Sequence, residues 1–68
     1  MTSYYVNKKA QANGDHEVHK RGCSFIPNEE NQVYLGLFNN CPDAIKEAKK
    51  HYGQTNGCYY CSAYCHTK

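Results

Sequence analysis

Three cysteines and a histidine crowd one stretch near the end of this chain, Gly57-Cys58-Tyr59-Tyr60-Cys61-Ser62-Ala63-Tyr64-Cys65-His66. Cys58-x2-Cys61 has a suitable bite for zinc, because a short turn brings two sulfurs to one tetrahedral ion. Cys65 or His66 follows within a few residues, and Cys23 or Cys41 can supply a further ligand. Zinc is therefore the candidate cofactor, with Cys58, Cys61, Cys65, His66, Cys23 and Cys41 as candidate ligands. The same five cysteines are candidate disulfide partners. Cys23 could meet Cys41 across a sheet, Cys58 or Cys61 could close a small loop with Cys65, or either could tie the tail to the body. Five cysteines allow many pairings, and the odd number leaves at least one thiol outside any intramolecular pair. Each bridge would contribute about 2–4 kcal/mol. Buried free thiols are the third reading, since free Cys is an ordinary small core residue.

Other chemistries fit less well. Cys58-Tyr59-Tyr60-Cys61 has the dithiol spacing of thioredoxin-like enzymes, which place that motif at a helix N-terminus after a strand to lower the thiol pKa. Here the motif follows the only clear helix, and there is no βαβ pattern. His16-Glu17-Val18-His19 lacks the His-Glu-x-x-His spacing of helical zinc proteases and falls on a predicted strand. Alternation puts His16 and Val18 on one face and Glu17 and His19 on the other, so these three donors do not readily meet one ion and read as exposed strand residues. An iron–sulfur cluster would find only three cysteines in the tail, in an order unlike the usual runs. No catalytic set is complete, and the expectation is a non-enzymatic protein.

The elements that must position these groups can be read in order. Residues 3–9 and 15–20 are predicted strands joined across Asn13-Gly14, a strong hairpin signal. A tight turn there would put Val18 on the face of Tyr5, whereas a bulge or wider loop within Lys8–Ala12 aligns Val6 with Val18 and gathers the apolar groups. Pro27 and Asn28-Glu29-Glu30-Asn31 mark a loop. Residues 32–38 are the third strand, with Val33, Leu35 and Leu37 on one face, Tyr34 and Phe38 on the other, and Gly36 marking a bulge or close neighbour. A helix is predicted over 41–52, capped by Asn40, with Pro42 in its first turn and Asp43 at the positive end of its dipole. Cys41, Ala44, Ile45, Ala48 and Tyr52 form its apolar stripe. Gln54 to Gly57 reads as a turn, and 57–68 as a cysteine-rich tail. The whole, 1–68, is one small α+β domain: a three-stranded antiparallel sheet with one helix packed on one face.

Size makes the cysteines matter. A chain of 68 residues buries only about 60% of its unfolded surface. Its aliphatic supply is thin: Val6, Val18, Ile26, Val33, Leu35, Leu37 and Ile45. Small scaffolds of this kind commonly need a covalent or metal staple. No apolar run approaches the roughly 18 residues of a membrane span. No apolar leader follows Met1, so the expected location is cytoplasmic, or periplasmic or secreted if a leader was removed.

Two resemblances can be stated. Tyr4-Tyr5-Val6-Asn7, the run Asn13-Gly14-Asp15-His16-Glu17-Val18-His19, Tyr34-Leu35-Gly36, Cys41 and the Gly57-Cys58 tail resemble a group of short bacterial hypothetical proteins, which implies no function. Leu35-Gly36-Leu37-Phe38 followed by Ala44 and Ala48 is similar in layout to the three-stranded arm-binding domains of tyrosine integrases. That likeness implies a sheet placed in a DNA groove, although fold analogy does not carry function.

Net charge is only +2. The leading expectation is thus a stapled module acting through a protein partner, with no membrane role. The alternative is a small nucleic-acid-binding module using the sheet face, with Tyr5, Lys8, Lys9, Arg21 and Tyr34 (joined by Phe38) as a stacking-and-phosphate surface.

Overall fold

The computed structural model describes Met1 to Thr67. Its strands are β1 (Thr2–Asn7), β2 (His16–Lys20), β3 (Gln32–Phe38) and β4 (Thr55–Gly57), with one helix, α1 (Cys41–Ala48), between β3 and β4. The fold is α+β, but the sheet is four-stranded and mixed, ordered β3-β1-β2-β4. β1 pairs antiparallel with both β2 and β3, whereas β4 runs parallel to β2. The expected three-stranded antiparallel sheet is corrected by one strand, because Gln54-Thr55-Asn56-Gly57 is not merely a turn. Thr-Asn-Gly has no apolar alternation to announce a strand. What holds it is side-chain chemistry. Buried Asn56 donates to Asp15 at 3.1 Å and to the Thr67 carbonyl at 2.7 Å, and Gln54 donates to Asp15 at 2.7 Å.

The hairpin resolves in favour of the wider loop. Val6 sits opposite Val18, and the chain reverses in a turn closed by Gln11 N–H to Asp15 O and Gly14 N–H to Gln11 O. The core beneath the helix is thin, as composition implies: Tyr4, Val6, Val18, Leu35, Cys41, Ala44 and Ala48 are buried, with Val33, Phe38, Ile45, Tyr52 and Cys65 packed around them. β3 departs from its simple alternation. Tyr5 pairs with Tyr34 but Tyr4 pairs with Gly36, so Leu35 is an extra residue and the parity of the strand switches there. Leu37 therefore turns outward, 55% exposed, while Phe38 turns inward and meets the Tyr4 ring edge-on at 6.1 Å. Gly36 supplies the φ of +125° at this bulge, a conformation that side chains disfavour.

The helix is shorter than expected. Asn40 caps it by accepting from the Asp43 N–H at 3.0 Å. After Ala48 the chain continues through turns, with the Tyr52 N–H donating to the Ala48 carbonyl, so Tyr52 still reaches the core edge. Gly57 has the least room of the glycines. A Cβ there would lie 2.7 Å from Ser62 O and 2.8 Å from Cys65 Cβ. Gly57→Ala is expected to push the tail off β4 and cost about 1–3 kcal/mol, the usual scale of overpacking. A urea titration would register this as a lower midpoint, and an unmoved midpoint would refute so close an approach of the tail to Gly57.

Candidate metal centre

The parallel pairing of β4 with β2 builds the site. Val18 lies opposite Gly57, so the next residues, His19 and Cys58, come together. The Cys58 N–H donates to the Val18 carbonyl at 2.9 Å, and the Ser62 N–H donates back to the Cys58 carbonyl at 2.8 Å, closing the turn that carries Cys61. On the other side, the chain leaving β2 reverses through Gly22, at φ +89°. The Cys23 N–H then donates to the Lys20 carbonyl at 3.2 Å, and Cys23 returns toward the same point.

Four donor atoms result, from His19, Cys23, Cys58 and Cys61, all within 4.8 Å of one another. This cluster could hold a metal ion. Two sulfurs bound at about 2.3 Å to one tetrahedral ion lie about 3.8 Å apart; Cys23 Sγ and Cys58 Sγ are 3.8 Å apart. His19 Nδ1 lies 4.0 Å from Cys61 Sγ. Backbone N–H groups also point at the sulfurs, from Lys20 to Cys61 at 3.3 Å and from Phe25 to Cys23 at 3.4 Å. Such donors suit thiolates, since hydrogen bonds to the charged form favour it.

His19 is the residue that sequence reading missed. It is 1% exposed, not an exposed strand residue. Its Nε2 makes no hydrogen bond among the described residues and lies 3.5 Å from Glu17 Oε1. A buried imidazole with one nitrogen at a carboxylate and the other at sulfurs has the layout of the carboxylate–histidine–metal arrangement. Burial lowers the His19 pKa and keeps the ring neutral, the form that binds metals. Burial also pushes the Cys61 thiol up to about 12; the hydrogen bond with Cys23 and the charge of Cys58 add to this, while the Lys20 N–H and the Ser62 hydroxyl oppose it. A divalent cation at the centre would reverse that balance, because a coordinated thiol is deprotonated outright. The signal for His19 lay in Glu17 and His19 sharing one strand face, but no local spacing links them to the distant Cys58 and Cys61.

The remaining candidates separate. Cys41 and Cys65 form a disulfide with Cα atoms 6.2 Å apart, so neither is a free ligand. Cys23 pairs with neither Cys41 nor the tail covalently, and Cys23, Cys58 and Cys61 are free thiols. His66 lies outside the cluster, its Nδ1 2.9 Å from the Gly57 carbonyl and its ring edge-on to Tyr59. Of the sheet-face set, Tyr5 and Tyr34 do pack together at 5.4 Å. The Arg21 N–H binds the Ser3 carbonyl near the start of β1, whereas Lys8 and Lys9 follow its end.

Compared with known proteins, the chain matches no family model, no curated protein and no solved structure. Among the described residues, no helix is long and apolar enough to cross a membrane.

Proposed function

We propose that this protein is a small non-enzymatic binding module, stapled by zinc at His19, Cys23, Cys58 and Cys61 and by the Cys41–Cys65 disulfide. The observation that supports it is the convergence of three thiols and one imidazole within 4.8 Å. Soft sulfur donors with one nitrogen are a zinc set, and oxygen-seeking cations such as calcium and magnesium do not choose it. Four protein donors fill a tetrahedral ion and leave no position for water or substrate, which is the mark of a structural site. The protein then acts by presenting a surface to a macromolecular partner. Intact mass under native conditions tests this: one zinc per chain is expected, lost on acidification. Cobalt(II) should give tetrahedral visible bands with thiolate charge transfer. A native mass without zinc, or octahedral cobalt, would end the proposal.

Glu17 should tune this site through His19. Glu17→Gln keeps the shape but removes the charge beside Nε2. Zinc affinity is expected to fall roughly tenfold, the lower end for orienting partners of metal ligands. Competition with a chromophoric chelator measures it, and equal affinities would show that the 3.5 Å approach is incidental.

A further inference from the structure

The two loops that carry the metal donors also carry exposed aromatic rings. Phe25 lies two residues after Cys23, and Tyr59 and Tyr60 lie between Cys58 and Cys61. Phe25, Tyr59 and Tyr60 are 58%, 60% and 66% exposed. They are not randomly disposed. Phe25 and Tyr60 stack with ring centroids 4.2 Å apart and planes within 21°, and Tyr59 meets Tyr60 edge-on at 5.1 Å. The stack bridges two loops distant in sequence, and all three rings are largely exposed.

Cations stand on the approach to the stack, and the nearest acids on the Phe25 side, Glu29 and Glu30, lie beyond Pro27. Val18 to Asn28 and Ala48 to Thr67 contain no Asp or Glu. Lys20 and Arg21, both exposed, open the loop that leads to Cys23 and Phe25, and the Lys20 N–H is bonded to Cys61 itself. The acid nearest Phe25 in sequence is Glu29, in the turn before β3; Glu17, which precedes Lys20, is turned to His19. The large exposed apolar side chains on these two loops are all rings, without an aliphatic among them. Rings bordered by cations suit planar bases strung on phosphates, because every base has a π-face and the backbone is anionic.

We infer that the Phe25–Tyr60–Tyr59 ring cluster, flanked by Lys20 and Arg21, is a stacking platform for single-stranded nucleic acid. This places the partner among nucleic acids, where the sequence had favoured a protein, and locates the contact on the metal loops, not the sheet face. It rests on the zinc reading only for the rigidity of those loops. Bases would add to the outer faces of the existing stack while Lys20 and Arg21 meet phosphates. A duplex hides its base faces and should bind less well.

The test uses the full-length zinc-loaded chain and a fluorescein-labelled oligothymidylate, read by anisotropy against a duplex of equal length. The single strand should bind more tightly. Affinity should fall about sevenfold between roughly 50 and 200 mM salt if two phosphates are contacted. Phe25→Ala and Tyr60→Ala should each weaken binding roughly 5- to 150-fold, the range for losing one base stack, with zinc content unchanged. Phe25→Tyr, which keeps the ring, should retain binding and guards against a mere folding defect. No binding at low salt, or binding indifferent to the rings, overturns the inference. So does saturable binding of an acidic peptide where the oligonucleotide does not bind. If zinc is bound and the oligonucleotide ignored, only this inference fails. If ring-dependent binding persists in protein that holds no zinc, only the metal reading fails.

Discussion

Stripping zinc from the protein is expected to lower its melting temperature by about 20 °C. Free zinc at about 1,000 times its dissociation constant contributes about 4.1 kcal/mol to a fold that binds it only when native, and a domain of this size shifts by roughly 4–8 °C per kcal/mol. The physical reason lies in what the ion would join. His19 belongs to β2, Cys23 to the loop after it, and Cys58 and Cys61 to the chain beyond β4. A short parallel ladder and a few polar side chains otherwise hold β4 to the sheet. Cys58→Ser removes a ligand that is 1% exposed and should reproduce the loss without any chelator. Circular dichroism melts with and without a chelator measure the effect, and superimposable melts would refute a structural role for the metal. Added zinc should leave the Cys58→Ser melt nearly unmoved, which separates metal loss from simple loss of packing.

Removing the Cys41–Cys65 bridge should produce the second large effect. The bond spans 24 residues, and closing a loop of that length in the unfolded chain is worth about 3.5 kcal/mol in the chain-entropy treatment. That corresponds to roughly 15–25 °C in melting temperature. The double variant Cys41→Ser, Cys65→Ser should show this loss and still take up one zinc, because neither residue belongs to the metal cluster. A variant as stable as the parent would mean that the bridge constrains little. A variant unable to take up zinc would mean that the bridge, and not β4, sets the position of Cys58 and Cys61.

The need for staples was visible in the sequence, but their arrangement was not. So few aliphatic side chains on so short a chain called for cross-linking, and zinc and disulfide entered as alternatives. The structure uses the five cysteines in two separate sets, a 41–65 bridge and a 23/58/61 cluster. Spacing could not divide them, because Cys58, Cys61 and Cys65 are neighbours in sequence and their partners depend on how the tail passes the sheet. Cys41 was placed on the core face by the helical stripe, and that is where Cys65 reaches it.

What the amino-acid order determined by itself were the locally encoded elements. Val6 and Val18 share a face because only one register gathers the apolar groups, Asn40 and Pro42 start the helix, and Gly36 marks the bulge of β3. What the tertiary structure alone decided was the fourth strand and, through it, the site. Thr55-Asn56-Gly57 carries no periodic apolar signal and becomes a strand by pairing its backbone with β2 and its Asn56 with Asp15. Only that long-range parallel pairing sets Cys58 beside His19, and pairing between segments so far apart leaves no trace in either one's local pattern.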